Sequence, residues 1–87
     1  MKKLWVFKMT FRNTHSGLVI ATDEEIDEIT GVEIHFGELE GKHSEVIETI
    51  ERDMFTEVTS DEKVINALRD NGALVGVDPF DHWEKEE

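Results

Sequence analysis

Near the start of the chain, apolar residues recur at every second position, with Trp5, Phe7, Met9 and Phe11 on one side and Lys8 and Thr10 on the other. A period of two is that of a half-buried strand. Arg12-Asn13-Thr14-His15-Ser16-Gly17 supplies turn chemistry, and Leu18-Val19-Ile20-Ala21 reads as the returning strand of an N-terminal β-hairpin. Thr22-Asp23-Glu24-Glu25 has the form of a capping box, in which a Thr hydroxyl and a Glu carboxylate each accept a backbone N–H at a helix start. Ile26 and Ile29 then anchor one helical turn before Gly31, and a long acidic hairpin loop satisfies the same pattern. Val32, Ile34 and Phe36 alternate with Glu33 and His35 as a third strand.

After a loop from Gly37 to His43, Ser44 is placed as an N-cap, with Glu45 beside the helix dipole. Val46, Ile47 and Ile50 mark one face of the helix that this cap predicts, with Glu45, Glu48, Glu51 and Arg52 outside. Phe55 to Thr59 reads as a short strand, and Thr59-Ser60-Asp61-Glu62 offers a second capping box. Val64, Ile65 and Leu68 repeat the helical spacing until Asn71-Gly72 stops it. Ala73-Leu74-Val75-Gly76-Val77 is a last, apolar strand, ended by Asp78-Pro79. The expected fold class is α+β: a four- to five-stranded mixed sheet, built with right-handed crossovers, with two helices packed on one face. Residues 1–83 make a single domain, and 84–87 an acidic, frayed C-terminal tail.

Composition narrows this picture. With 38% hydrophobic residues the chain can pack one layer on another, and without cysteine neither a disulfide nor a thiolate metal site can staple it. No segment approaches the roughly 18–20 apolar residues of a membrane helix. Lys8 and Arg12 break the apolar run at the N-terminus, and no small-residue cleavage site follows, so a strand is expected there rather than a signal peptide. These features lead us to expect a cytoplasmic protein.

Charge is the strongest compositional signal. The net charge is −12, and it is unevenly spread: residues 1–22 carry four bases and no acid, while the rest carry all 21 acids against five bases, a balance of −16. Such a field repels nucleic acid and anionic membranes and attracts basic proteins. It also keeps a small protein in solution, which is the plainer reading of the same acidity.

Two segments carry candidate chemistry. Gly37-Glu38-Leu39-Glu40-Gly41-Lys42-His43-Ser44-Glu45 feeds an expected helix N-terminus, where free backbone N–H groups favour an anion and Lys42 and His43 add donors. The glycines are four apart and Ser44 falls one residue late, so this is not a Walker loop, and Ser44 is also explained as a cap. Gly76-Val77-Asp78-Pro79-Phe80-Asp81-His82-Trp83 places two aromatics among acids on a turn stiffened by Pro79. A strap that folds back to seal the core accounts for Phe80; Trp83 is suited either to that seal or to anchoring a partner.

Asp78, Asp81 and His82, with His43 across the fold, have ligand atoms but match no metal-site spacing. His35 reads as an exposed or packed histidine. Ser44 beside His43 lacks a third, orienting group, and the carboxylates form no recognisable acid/base pair, so neither an enzyme nor a cofactor is expected. If strands 32–36 and 73–77 are parallel neighbours, both motifs emerge at one sheet edge. Lys42, His43 and Ser44 then face Asp78, Asp81 and His82.

The Gly37–Glu45 loop with Val46, followed by Gly76-Val77-Asp78-Pro79-Phe80-Asp81, resembles a group of small bacteriophage-encoded proteins. These carry a glycine-lysine-histidine-serine-glutamate loop and a C-terminal glycine-x-asparagine-proline-leucine-aspartate segment. Here Asp78 and Phe80 replace the asparagine and leucine, and the likeness covers about a third of the chain. The resemblance implies a small accessory factor acting in an infected bacterial cytoplasm. Its expected partner is a host protein with a basic surface, and its expected partner-binding residues are Gly37, Gly41, Lys42, His43, Ser44, Glu45, Asp78, Phe80, Asp81, His82 and Trp83. Two other functions fit the residues: a binder that sequesters a nucleotide or other phosphorylated ligand at loop 37–45, and an acidic mimic of duplex DNA.

Overall fold

The structure, a computed structural model, describes residues 1–11, 13–37 and 45–83. Its centre is strand β1 (Lys3–Phe11), which pairs antiparallel with β2 (Asn13–Ala21) on one side and β5 (Phe55–Thr59) on the other. The register sets Trp5 opposite Val19 and Phe7 opposite both Gly17 and Phe55, so the period-two pattern puts one aromatic row on one face. The Trp5 indole N–H donates to the Ala21 carbonyl at 2.9 Å, which satisfies the polar atom of a side chain that is otherwise buried. Helix α1 (Asp23–Ile29) starts at a complete capping box. The Thr22 hydroxyl accepts from the Glu25 N–H, and the Glu25 carboxylate accepts from the Thr22 N–H.

A second, two-stranded antiparallel sheet joins β3 (Glu33–Gly37) to β4 (Val46–Thr49). Ile26 and Ile29 of α1, Ile34 and Phe36 of β3, and Val46 and Ile50 all pack onto the Trp5–Phe7–Met9 face in one buried cluster. Helix α2 (Glu62–Asp70) packs on β1 from the other side, where Leu4 and Ile65 are buried apart from that cluster.

Several expectations are corrected. The fold is α+β with an N-terminal hairpin, but the five strands among the described residues form two small antiparallel sheets rather than one mixed sheet. With no parallel pair among the described strands, the argument from right-handed crossovers falls. The helices lie on opposite faces of the three-stranded sheet, because Leu4 and Trp5 are adjacent in a strand and point opposite ways. Residues 46–49 are strand, not helix. Val46 and Ile50 satisfy a spacing of four in either form, and the β-branched Val46, Ile47, Thr49 and Ile50 favour the extended one once β3 offers an edge to pair with. The second hairpin strand begins at Asn13, so most of the expected turn is strand. Asp61, not Thr59, caps α2, accepting from the Lys63 N–H at 2.9 Å. The expected tail at 84–87 lies outside the described residues.

The expected strand at 73–77 is a single bridge in which Gly76 meets Gly17 of β2. The Leu18 N–H donates to the Val75 carbonyl at 3.1 Å and the Val77 N–H to the Ser16 carbonyl at 3.0 Å. The backbones cross so closely that a Cβ on Gly17 would overlap the Val77 carbonyl. Gly76, at φ 98°, turns the chain away before a ladder can extend. Gly17→Ala should therefore cost about 1–3 kcal/mol by forcing the two backbones apart. Ser16→Ala, whose hydroxyl is exposed, should cost under about 0.5 kcal/mol. Equilibrium urea unfolding of both variants checks this, and equal midpoints would show that the crossing is not tight.

Candidate functional site

The segment after the bridge is held by its own turn chemistry and by the core. The Asp78 carboxylate accepts from the Phe80 N–H at 2.9 Å and starts a 3₁₀ turn, Pro79–His82, in which Pro79 is fully buried. Phe80 lies 6.4 Å from Phe55 and 6.0 Å from Trp83 between ring centroids, and His82 lies 5.3 Å from Phe36. Phe80 and Trp83 are partly buried against the cluster, so both contribute to a core seal.

The strap runs beside β3, and the two enclose a cleft of about 460 Å³. Its lining is residues 32–35 on one side, His82 and Trp83 on the other, and Glu45 just before β4. His35 Nδ1 lies 3.0 Å from Glu45 Oε1, and His35 Nε2 lies 3.6 Å from Glu33 Oε1. Two carboxylates and no lysine or arginine line this cleft among the described residues, so its charge favours a cation over an anion.

The expected site residues are therefore divided. Glu45, His82 and Trp83 meet at this cleft, and Gly37, at φ 75°, ends β3 close by. Asp78 and Asp81 line a second hollow of about 430 Å³, with Lys2, Arg69, Leu18, Ile20 and Leu74. Gly41, Lys42, His43 and Ser44 lie outside the described residues, as does any contact between His43 and Asp78. The reason for joining the two motifs is overturned, since β3 pairs with β4 and residues 73–77 cross β2 instead. Among the described residues no group of three or more His, Asp or Glu side chains could hold a metal ion.

Sequence reasoning missed Val32, Glu33 and His35 as site residues. Their signal was present as the outward half of the β3 alternation, but only the neighbouring strap makes a cleft of it. No protein-family model matches the chain, and comparisons with curated proteins and with solved structures return no match.

Burial raises the Asp78 carboxyl above the ordinary Asp value of 3.8, the nearby Asp81 charge adds to this, and the Phe80 N–H opposes both. The folded protein thus holds this proton more tightly than the unfolded chain does. The stability from neutral Asp78 is fully present below the ordinary value and lost as pH rises through the raised one. Asp78→Asn keeps an acceptor for the Phe80 N–H and removes the charge. It should raise the urea midpoint at pH 7, with the gain shrinking towards zero as pH falls to the ordinary Asp value. A gain that grows on acidification would show that the cap needs the charge.

Proposed function

We propose that this chain is a small acidic accessory protein, of phage origin, that acts in a bacterial cytoplasm by binding and modulating a host protein with a basic surface. It works by occupancy rather than by catalysis. The observation that supports this most directly is the cleft between β3 and the strap, which joins an aromatic wall to two carboxylates. Aromatic anchors in a partly enclosed, oppositely charged setting are the usual carriers of binding energy. The −16 balance beyond residue 22 adds long-range attraction that speeds encounter with a basic surface. Both ring nitrogens of His35 face carboxylates, which argues for a structural link between β3 and the start of β4 rather than a general base awaiting substrate.

The phosphorylated-ligand reading rests on Lys42, His43 and Ser44 in loop 37–45, which lie outside the described residues, so the described cleft lends it no support. The DNA-mimic reading would line Glu45, Glu48, Glu51, Asp61 and Glu62 along two helices on one side of a sheet. Residues 46–49 are strand, so the first of those helices is lacking.

Immobilised protein should capture a specific protein from bacterial lysate at about 50 mM salt and release it by about 500 mM, as screening shortens the reach of surface charge. Glu33→Gln combined with Glu45→Gln should weaken capture about tenfold, while Trp83→Ala should weaken it without changing the salt dependence. No partner at low salt, or capture indifferent to all three substitutions, overturns the reading.

A further inference from the structure

We infer that the cleft takes one arginine side chain of the partner, its guanidinium held by Glu33 and Glu45 and laid against Trp83. This rests on the reading of the cleft as a partner-binding surface and names the group it selects. The two carboxylates stand at either nitrogen of one imidazole: Glu45 Oε1 is 3.0 Å from His35 Nδ1, and Glu33 Oε1 is 3.6 Å from His35 Nε2. In each glutamate it is a single oxygen that faces the ring. The Glu33 and Glu45 side chains keep 64% and 54% exposure, so both carboxylates remain open to an incoming donor. A guanidinium presents five N–H donors in one plane and can address two acceptors at once, whereas an ammonium is a point charge.

The opposite wall decides between the two basic side chains. His82 and Trp83 line it, with His82 held 5.3 Å from Phe36 and Trp83 6.0 Å from Phe80 between ring centroids, so this aromatic surface is fixed before anything binds. Trp83 is only partly buried, packing on the core and bordering the cleft at once. A planar guanidinium stacks on an indole, and it sheds water more readily than an ammonium does. Val32 adds apolar surface to the lining, which disfavours a strongly hydrated lysine head. The volume of about 460 Å³ is several times that of one guanidinium, and no cation of this chain lines it among the described residues. A second copy of this chain is disfavoured as the source, because two molecules of net charge −12 repel.

The probes are three blocked tripeptides, acetyl-Gly-X-Gly-amide, in which X is arginine, lysine or citrulline, the uncharged isostere of arginine. Each is titrated into isotopically labelled protein while the backbone amide shifts are followed. The arginine peptide should bind with a Kd of about 10 mM or tighter, its shifts centred on residues 32–35, 45, 82 and 83. The lysine peptide should bind at least about threefold more weakly, and the citrulline peptide at least about tenfold. Glu45→Gln should weaken the arginine peptide about fivefold. Glu51→Gln removes the same charge from an exposed position outside the cleft and should change affinity less than about twofold. Trp83→Leu, with its amide spectrum as the check on folding, should bring the arginine peptide down to the affinity of the lysine peptide. Equal binding of arginine and lysine, equal losses in Glu45→Gln and Glu51→Gln, or shifts centred elsewhere each overturn the inference. If the lysate partner is captured but the arginine peptide does not bind, the inference fails and the function proposed above stands. If the peptide binds and no partner is captured, that function fails, and with it a partner's arginine as the occupant; if neither binds, both fail.

Discussion

Phe7 sits where two chains of ring contacts meet. Its ring lies 5.2 Å from Phe55 and 6.3 Å from Phe36, and from these the contacts run on to Phe80 and Trp83 in one direction and to His82 in the other. A residue with no exposed surface on the central strand thus fixes both the second sheet and the strap that faces it. Each aromatic pair contributes about 0.5–1.5 kcal/mol beyond its area, but their sharing of Phe7 matters more than the sum. Removing that ring would unseat β3 and Phe55 together, and with them both supports of the cleft. The candidate site is therefore a consequence of core packing and not a loop attached to it.

Charge is arranged around the same frame. The four bases of residues 1–22 looked like a separate positive region, yet two of them are spent inside the fold. Lys2 pairs with Glu25 at 2.6 Å, and Lys3 lies 2.9 Å from Asp23 and 3.0 Å from Glu57. These exposed pairs add little stability each. Their effect is on the field: they tie β1 to α1 and β5 and neutralise acids there. Arg52 stacks 5.0 Å from the Trp5 ring, another cation directed at the scaffold. None of these cations borders the cleft between β3 and the strap, so the carboxylates there keep their influence.

Much of the fold was legible because its signals are local. The hairpin, the Thr22–Glu25 box, the alternation in β3, the strand Phe55–Thr59 and the Asn71-Gly72 stop all depend on residues within one turn or one pleat. What was not legible depends on partners distant in sequence. Val46 and Ile50 fit helix and strand alike, and only β3, nine residues earlier at its nearest, decides between them. The apolar run 73–77 has strand composition, but the close approach at Gly17 allows one bridge and no ladder. Of the candidate site, the strap was legible as a core seal through Phe80. The role of β3 was not, because an alternating strand says which side is wet without saying what stands beside it.

The strap has two sides, and this constrains how the protein can respond to a bound partner. His82 and Trp83 border the cleft on β3, while Asp78 and Asp81 border the hollow near Lys2 and Arg69. A flexible strap would let one hollow sense the other. Pro79 is fully buried, however, and Phe80 leans on Phe55, so the turn between them is clamped at its centre. A clamped wall pays little ordering entropy when a partner docks, which favours affinity over signalling. The half-buried position of Asp78 works against that clamp, since ionising it opposes the burial on which the turn depends. The Phe80 N–H offsets part of this cost. The strap is accordingly a preformed wall whose weakest point lies at its anchor, on the side away from the β3 cleft.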